Sequence, residues 1–288
     1  MSDAQNKVQV TIEGRKLSLS NLDKPLYPHF TKGEVIDYYT RIAPVLLPHL
    51  RDRVATRLRF PEGVDGLRFF EKNAPRGTPE WVRTETVQTP GGRNESVEFV
   101  VIDDLATLVW CANLAALELH VPQWRIGRRT DLMVFDLDPG EPATFSACCE
   151  VGLLLRDVLA EDGLDAYPKN SGKKGLHLYV PVKDRQVDDT SAYAKRAAER
   201  LAKEHPKYVV SRMDKSLRGG KVFVDWSQNN PAKTTVAPYS LRAAPEPRVS
   251  TPLTWEEVEK GEPLPFTAED VLVRVAEMGD LLAPLVQG

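Results

Sequence analysis

Apolar and polar positions recur with two different periods along this chain, and the two periods predict a mixture of strands and helices. Strict alternation over residues 8–12, a tight Glu-Gly turn and a second run over residues 16–19 predict a β-hairpin. Over residues 32–47 the apolar positions recur every three or four residues, which predicts a helix with one buried face. Thr31 and Glu34 have the spacing of a capping box, so the helix is expected to start there.

The same two periods predict the remaining elements. Further strands are expected at residues 56–60, 67–70, 132–135, 176–182 and 222–224, and further helices at 105–116, 145–161, 191–204 and 267–282. We interpret residues 1–7 as a flexible N-terminus and the proline-containing residues 243–252 as a surface connector. Strands and helices do not alternate regularly, and no Gly-x-Gly-x-x-Gly follows the first strand, which argues against a Rossmann domain. The prediction is a single α+β domain over residues 1–288, with largely antiparallel sheets flanked by helices.

Composition places the chain among ordinary globular proteins. Hydrophobic residues make up 42% and charged residues 27% of the sequence. No apolar run reaches 18 residues and the first residues lack a secretion signal, so we expect a cytoplasmic protein without a membrane span. The cysteines, Cys111, Cys148 and Cys149, are odd in number and form no Cys-x-x-Cys pair. This pattern argues against a disulfide framework or a zinc site.

Charge is distributed unevenly, although the net charge of the chain is only −3. Residues 169–242 contain 16 Lys and Arg against 7 Asp and Glu, so the remainder of the chain is strongly acidic. A basic face on an acidic body can bind a polyanion such as a nucleic acid. A solvated helix face at residues 195–207 would also explain part of this excess.

Asp136 and Asp138 directly follow the apolar run at residues 132–135. Side chains at i and i+2 of a strand point to the same side, so this spacing presents two carboxylates to one place. Paired carboxylates repel each other unless a proton or a cation neutralises them, and their hard oxygens suit Mg²⁺ or Mn²⁺. The Pro-Gly that follows predicts the end of the strand. A solvated turn is the alternative interpretation.

The segment from Asn170 to His177 reads Asn-Ser-Gly-Lys-Lys-Gly-Leu-His. Its glycines permit tight backbone angles, and backbone N–H groups with Ser171 and the lysines could cradle phosphates. The spacing is not that of a P-loop, and the segment precedes a strand. An ordinary turn with a structural histidine remains the alternative.

A third carboxylate, Asp225, ends the apolar run at residues 222–224 and repeats the pattern of Asp136. Three acids are the donors that two-metal phosphoryl transfer uses. Cations surround this acid in the sequence, at Lys215, Arg218, Lys221, Lys233 and Arg242. This density suits a triphosphate or a nucleic-acid backbone.

Two aromatic or ring-bearing segments add weaker signals. Phe69 and Phe70 are neighbours on a predicted strand, so one ring is expected in the core and the other is a candidate platform for base stacking. Burial of both rings is the alternative interpretation. Arg59 lies nearby in the sequence. His120 stands in an apolar segment and is either satisfied in the core or directed to the site.

Taken together, ordered strings along the chain resemble the polymerase domain of bacterial ligase D, in the archaeo-eukaryotic primase superfamily. The likeness is greatest to its small, stand-alone, mycobacterial-type primase-polymerase members, and it extends over residues 8–285. The strings are Asn-Leu-Asp-Lys-Pro-Leu-Tyr-Pro at Asn21, Phe-Phe-Glu-Lys-Asn at Phe69, His-Val-Pro-Gln-Trp at His120, Asp-Leu-Asp-Pro-Gly at Asp136, Ser-Gly-Lys-Lys-Gly-Leu-His-Leu-Tyr at Ser171, Lys-Val-Phe-Val-Asp-Trp-Ser-Gln-Asn at Lys221 and Lys-Thr-Thr-Val-Ala-Pro-Tyr-Ser-Leu-Arg ending at Arg242.

The resemblance implies a DNA-directed primase-polymerase that adds ribonucleotides or deoxyribonucleotides to primer 3′ ends and fills short gaps in DNA repair. It implies that Asp136, Asp138 and Asp225 are catalytic and bind Mn²⁺ or Mg²⁺. The nucleotide would be held by Ser171, Lys174, Gly175, His177, Gln228, Arg242 and His120, with Phe69 and Phe70 meeting bases. The 5′-phosphate and the primer or template would be held by Lys24, Lys32, Asn21, Arg59 and Arg218, the last in a mobile loop.

Departures from the family pattern shape the expected partners. The sequence contains no ligase or nuclease motifs, so the resemblance implies a separate ATP-dependent ligase, with Ku as a further partner and a place near the nucleoid. The segment between His120 and Asp136 is shorter than in fused relatives, which puts end-bridging in doubt. Leu58 stands where a basic residue is familiar, so sugar or template contacts nearby are expected to differ.

Two other functions compete with this interpretation. An apolar strand ending in Asp-x-Asp also opens haloacid-dehalogenase phosphatases, but the Pro-Gly-Glu that follows here is not their pattern. A non-catalytic DNA-binding or bridging module would leave three clustered acids without a role, although such clusters are costly. Primer extension separates these hypotheses.

Overall fold

The computed structural model describes residues 7–88, 96–182, 187 and 189–287. Except for Lys7, which begins the first strand, the predicted flexible N-terminus at residues 1–7 lies outside these described residues. The described α-helices are α1 (Lys32–Leu50), α2 (Leu105–Asn113), α3 (Phe145–Glu161), α4 (Thr190–Glu204), α5 (Trp255–Lys260) and α6 (Ala268–Met278). Short 3₁₀ helices occupy Lys215–Leu217, Trp226–Asn229 and Ala283–Leu285. None of the helices that the structure describes is long and apolar enough to cross a bilayer.

The described strands are β1 (Lys7–Ile12), β2 (Arg15–Ser20), β3 (Pro25–Tyr27), β4 (Phe30–Thr31), β5 (Val54–Arg59), β6 (Phe69–Glu71), β7 (Thr84–Gln88), β8 (Ser96–Val101), β9 (Ala116–Val121), β10 (Leu132–Pro139), β11 (Tyr167–Asn170), β12 (Leu176–Pro181), β13 (Val209–Val210), β14 (Val222–Asp225) and β15 (Thr235–Val236). The strand pairings given for the described residues are antiparallel except for β13 with β14. The predicted α+β class with largely antiparallel sheets is therefore confirmed.

The chain forms two compact units, and the first contains the described residues up to Pro122 together with Tyr239–Val249 and Thr267–Gly279. Strand β5 is central in its sheet: β9 pairs along one side, while β8 and then β6 pair along the other, with β7 outside β8. Helix α1 packs on α2 and α6. The capping box of Thr31 and Glu34 is present as predicted, and the apolar face of α1 is buried. The prediction of a single domain over the whole chain stays a prediction.

The second unit contains the described residues of Gln123–Pro238, Ser250–Phe266 and the chain from Asp280. Its sheet has the order β11-β12-β10-β14-β13. Alternation along β10 sorts its side chains between two faces, because successive residues of a strand point in opposite directions. Met133, Phe135 and Leu137 enter a core with α3 and α4, whereas Leu132 and Val134 enter a smaller cluster on the opposite face. The even-numbered face then continues with the two acids of the Asp-Leu-Asp string.

Several predicted boundaries differ from the structure for identifiable reasons. Helix α2 stops at Asn113, three residues before the predicted end, because Ala115 adopts a left-handed φ of 57° and the chain turns directly into β9. Helix α1 runs past Pro44 and Pro48 to Leu50, since its last turns carry fully buried leucines. The C-terminal helix ends at Met278 instead of residue 282, because Gly279 with φ 69° terminates it.

The predicted surface connector at residues 243–252 is wrong for its second half. Val249, Ser250 and Thr251 are completely buried. The Asn170 N–H donates to the Thr251 carbonyl at 2.9 Å, and the Asn170 side chain accepts from the Thr251 N–H at 2.9 Å. This pairing gives the backbone of the segment the partners that a buried chain requires, although its sequence is rich in proline.

Candidate active site

The three predicted catalytic acids lie on two neighbouring strands of the second unit. Asp136 on β10 is paired directly with Asp225 at the end of β14, and Asp138 lies two residues farther along β10. Directly opposed residues of antiparallel strands share a face, as do residues i and i+2. The three carboxylates therefore stand on one face of the sheet. Their exposure differs, because Asp225 is buried, Asp136 is half-buried and Asp138 is exposed.

Neighbouring polar groups hold the Asp225 carboxylate. The Ser227 N–H and hydroxyl donate to its Oδ1 at 2.9 and 2.5 Å, and Gln228 Nε2 donates to its Oδ2 at 3.0 Å. Lys233 Nζ lies 4.0 Å from Oδ2 and also donates to the Ser227 hydroxyl oxygen. Asp225 begins the 3₁₀ helix that contains Ser227 and Gln228. Local chain geometry thus fixes this acid, and the predicted nucleotide residue Gln228 contacts the acid directly.

His177 is paired with Asp136 on the other side of β10. Its Nε2 lies 3.1 Å from Asp136 Oδ1, and the imidazole is almost completely buried. Lys169 on β11 is opposite His177, so a polar row crosses four strands as Lys169, His177, Asp136 and Asp225. The Lys169 ammonium donates to the Ser250 hydroxyl at 2.5 Å and lies 5.4 Å from the centre of the Tyr179 ring.

The acids fit a hard divalent cation in their donor chemistry. Carboxylate oxygens are the ligands that Mg²⁺ and Mn²⁺ prefer. Within the part of the chain that the structure describes, no three His, Cys, Asp or Glu side chains are yet gathered closely enough to hold a metal ion. Asp136 and Asp225 are nevertheless directly opposed, and like charges in that position destabilise a sheet. A bound cation would relieve this repulsion.

The predicted phosphate loop is the five-residue connection between β11 and β12. The Ser171 N–H donates to the Gly175 carbonyl at 2.9 Å, and the Ser171 hydroxyl oxygen accepts from the N–H groups of Lys173 and Gly175. Ser171 thus holds the loop closed. The Lys174 side chain is 74% exposed and its ammonium lies 3.0 Å from Glu141. The loop presents a cation to solvent beside the acids, while several of its backbone N–H groups already have acceptors.

Two glycines allow backbone segments to come close to β10. A Cβ added at Gly175 would lie 2.5 Å from the Leu137 carbonyl oxygen and 3.3 Å from the Asp138 carboxylate. One added at Gly140 would overlap the carbonyl oxygen of Arg218. Any side chain at either position would push the phosphate loop or the Arg218 segment away from the acids. The Arg218 guanidinium itself stacks on the ring of Phe223, 3.7 Å from its centre.

The predicted 5′-phosphate residues lie together in the first unit. Lys32, the first residue of α1, is 6% exposed and donates to the Ser20 carbonyl at 2.6 Å. Burial, followed by the positive charges of Lys24 and Arg59, lowers its pKa from 10.5 to about 8. Asn21 has a left-handed φ of 53°, and its carbonyl accepts from the Lys24 N–H at 3.1 Å. This turn and the helix start place three cations close enough to influence one another.

The other predicted nucleotide residues of the first unit meet at Glu118, a residue outside the predicted site. Glu118 Oε2 lies 2.9 Å from His120 Nε2 and 3.5 Å from Arg242 Nη1. Its Oε1 accepts from the Ala243 N–H at 3.0 Å, and the carboxylate is 2% exposed. Alternation along β9 could have indicated this residue, since Glu118 and His120 share a face, but the strand was not predicted.

The exposed aromatic pair departs from expectation. Phe69 is 47% exposed and Phe70 is 60% exposed, so the prediction that one ring is buried is wrong. Strand β6 is only three residues long and pairs with β5 alone among the described strands. Both rings therefore lie at the surface of the described part of the chain. Glu71, the last residue of β6, accepts from Arg59 at 2.6 Å and anchors the strand.

Comparisons with known proteins place this geometry in a family. The family model described as "LigD, primase-polymerase domain" matches residues 31–282. The multifunctional non-homologous end joining protein LigD of Mycolicibacterium smegmatis is 45% identical over 278 residues, which is 94% of this chain and 36% of that protein. The bifunctional non-homologous end joining protein LigD of Bacillus subtilis is 33% identical over 271 residues, 92% of this chain and 43% of that protein.

A solved structure resembles the whole described fold. It is the polymerase domain from Mycobacterium tuberculosis ligase D in complex with DNA, with a TM-score of 0.87 and 43% sequence identity. The match covers 94% of this chain and 98% of that domain. The chain therefore has nearly the extent of the solved domain, whereas it spans well under half the length of the curated relatives above.

Proposed function

Because this chain belongs to the LigD primase-polymerase domain family, a family of DNA-directed nucleotidyltransferases, we propose that it adds nucleotides to primer 3′ ends at short gaps during DNA repair. Ribonucleotides and deoxyribonucleotides are both substrates in this proposal. The observation that carries it is the register of the sheet, which sets Asp136 opposite Asp225 and keeps Asp138 on the same face.

The three acids are the proposed metal ligands, for Mn²⁺ or Mg²⁺ at two positions. In such a site the metal supplies Lewis-acid activation of the primer 3′-oxygen and neutralises charge on the pyrophosphate. The protein's own contribution is to orient the ligands. Ser227 and Gln228 fix the carboxylate of Asp225, and His177 holds Asp136 from the neighbouring strand. Ligands held in this way need little rearrangement when the ion arrives.

The proposed nucleotide-binding residues are Ser171, Lys174, Gly175, His177 and Gln228 in the second unit, and His120 and Arg242 in the first. Lys174 is exposed and can meet phosphate oxygens, while Ser171 and Gly175 set the shape of the loop. Arg242 is 9% exposed, and its Nε is buried with no hydrogen-bond partner among the described residues. An orphaned guanidinium N–H of this kind suits a phosphate oxygen, because charge-assisted bonds from arginine to phosphate are strong.

A 5′-phosphate on the downstream strand is proposed to bind at Lys24 and Lys32, with Asn21 and Arg59 beside them. Burial, and then the positive charges of Lys24 and Arg59, lowers the pKa of Lys32, so a negative charge beside this ammonium would be favoured. A phosphate dianion would supply that negative charge.

Phe69 and Phe70 are proposed to stack on bases, since exposed phenyl rings on a short edge strand offer their faces to a nucleic acid. Arg218 is assigned to the primer side.

Partners follow from the same proposal. The named relatives are non-homologous end joining proteins, and the solved neighbour is in complex with DNA. We propose that gapped or nicked DNA is the substrate here, and that a separate ATP-dependent ligase seals the product. Association with Ku at broken ends, close to the nucleoid, is part of the same proposal.

Nucleotide addition to a one-nucleotide gap with a 5′-phosphate tests the function. We expect extension of the primer with Mn²⁺, at a lower rate with Mg²⁺, and no extension by Asp136→Ala. Asp131→Ala is the matched control. Asp131 immediately precedes β10, the strand that carries Asp136, and its carboxylate pairs with Arg125, but it is not assigned to the site. Full extension by Asp136→Ala would refute the assignment. Release of phosphate from small phosphoesters without extension would indicate a phosphatase.

A further inference from the structure

A buried carboxylate in the first unit joins two side chains that the proposed function assigns to the nucleotide. Glu118 lies on β9 with His120 two residues farther along the same face, as the period of a strand requires. Glu118 Oε2 is 2.9 Å from His120 Nε2 and 3.5 Å from Arg242 Nη1. One oxygen atom therefore contacts both groups.

The second oxygen of Glu118 fixes the backbone that carries Arg242. Oε1 accepts from the N–H of Ala243, the next residue, at 3.0 Å. On the other side, the Tyr27 hydroxyl donates to the carbonyl of Arg242 at 3.1 Å. The peptide group between Arg242 and Ala243 is thus held at both its carbonyl and its N–H, and the Arg242 guanidinium is held by the carboxylate.

The burial of this network makes its geometry specific. Glu118 is 2% exposed, and the side chains of His120 and Arg242 are 15% and 10% exposed. A carboxylate removed from water in this way is stable only when its oxygens are bonded and its charge is paired. Arg242 provides the charge, while His120 and the Ala243 N–H complete the hydrogen bonding. The imidazole and the guanidinium are therefore constrained to the positions that satisfy Glu118.

We propose that Glu118 is a positioning residue for nucleotide binding, acting through His120 and Arg242, and this proposal rests on the proposed function of the chain. Glu118 itself does not touch the nucleotide. It orients the imidazole and the guanidinium before the substrate binds. Binding of the nucleotide therefore does not lose free energy in ordering these two side chains.

Glu118→Gln tests the proposal with almost no change in size. The amide can place only one oxygen in the network, so its nitrogen must face either the Ala243 N–H or the two donors from His120 and Arg242. We expect the KM for the incoming nucleotide in single-nucleotide gap filling to rise about tenfold, within the range seen when a group that orients ligands is lost, while kcat changes less. Asp103→Asn is the matched control, because Asp103 in the same unit also pairs an arginine and a backbone N–H.

A double variant separates positioning from general structural damage. If Glu118 acts through Arg242 and His120, then Glu118→Gln should raise the KM of an Arg242→Ala protein by a smaller factor than it raises the KM of the wild-type protein. A merely structural role would lower the active fraction, and so kcat, at unchanged KM.

Retained affinity for gapped DNA shows that a variant is folded. If Glu118→Gln does not fold, Glu118→Asp replaces it, because this change keeps the charge but shortens the side chain. Glu118→Asp must then raise the KM for the nucleotide above the wild-type value, by less than about tenfold. An unchanged KM in the folded variant, or full additivity with Arg242→Ala, overturns the proposal.

Failure of the proposed function gives a different result. A wild-type protein that adds no nucleotide to gapped DNA refutes the function. Equilibrium binding of the manganese–nucleotide complex then still tests Glu118: tenfold weaker binding by Glu118→Gln than by wild type supports its positioning role. Equal binding by both proteins, or no nucleotide binding by either, overturns it.

Discussion

Replacing Lys32 with Met removes a buried positive charge while keeping most of the side-chain volume. We expect the free protein to become more stable and, at the same time, to lose its preference for a 5′-phosphate. The two effects have one cause, since the charge that a phosphate would neutralise is costly in the absence of phosphate. Lys32 is 6% exposed and lies near Lys24 and Arg59, which add to the cost.

The magnitude follows from the pKa of Lys32. Burial, then the two neighbouring cations, lowers this pKa from 10.5 to about 8. At about 1.4 kcal/mol per pKa unit, the charged form is disfavoured by about 3 kcal/mol relative to water. Met cannot donate to the Ser20 carbonyl, and leaving that acceptor without its 2.6 Å bond costs about 1–2 kcal/mol, which offsets about half of the gain. Lys32→Met should therefore raise the free energy of unfolding by about 1–2 kcal/mol near neutral pH.

The sign of the pH dependence is fixed by the same shift. The folded-state pKa of Lys32 lies below the unfolded-state value, so between about 8 and 10.5 the unfolded chain holds more protons than the folded protein. The stability of the wild-type protein gains from this group as pH rises through that window. The advantage of Lys32→Met is present in full below about pH 8 and should shrink toward pH 10.

Urea unfolding at about pH 7 and about pH 9.5 measures the stability difference. Binding of gapped duplexes with and without a downstream 5′-phosphate measures the functional loss, where a bond of about 1.5 kcal/mol corresponds to about tenfold in affinity. Lys16→Met removes an exposed lysine from the same unit and should change neither quantity. The reasoning is refuted if Lys32→Met destabilises the protein at neutral pH, or if it retains the wild-type preference for the 5′-phosphate.

Three further changes test the geometry of the site and its support. Gly175→Ala should slow nucleotide addition and destabilise the protein by about 1–3 kcal/mol, because the new Cβ would meet the Leu137 carbonyl at 2.5 Å; wild-type activity and melting temperature would contradict this. Asn229→Leu should cost about 2–4 kcal/mol in urea unfolding, since its amide bonds both the N–H and the carbonyl of Val134 at 2.8 Å; a change below about 0.5 kcal/mol would contradict this. Phe70→Ala should leave stability unchanged but weaken binding of gapped DNA by about 1–3 kcal/mol, and unaltered affinity would remove the ring from the interface.

The sequence predicted best those elements whose signals are local. The capping box at Thr31, the boundaries of α3 and the strand leading to Asp136 depend on residues within one turn or one strand, and the structure confirms them. The pairing of Asp136 with Asp225 could not be predicted from a local pattern. The two residues are 89 positions apart in the sequence, and local patterns do not determine the register between distant strands. The family resemblance implied that the three acids act together, and the antiparallel register of β10 and β14 sets Asp136 opposite Asp225.

The elements that the sequence did not predict depend on distant contacts. Strand β9 continues an apolar run directly from α2, without a glycine or proline to mark the change at Ala115. The predicted helix therefore runs into the strand, and the alternation that would indicate Glu118 is hidden. The buried segment at Ser250 and Thr251 carries a sequence typical of a surface loop, and only its bonds to Asn170 explain its burial.

The single-turnover rate of nucleotide addition by Asp225→Asn decides whether the three carboxylates act as one metal site, because Asp225 adds the third carboxylate to the pair on β10. The asparagine keeps an oxygen for the Ser227 hydrogen bonds, so the local fold should survive. With Mn²⁺ and gapped DNA at saturation, we predict a rate about a thousandfold below wild type, which corresponds to about 4 kcal/mol in the barrier, with unchanged DNA affinity. A rate within about threefold of wild type, which corresponds to an increase of less than about 1 kcal/mol in the activation free energy, would contradict a three-carboxylate metal site.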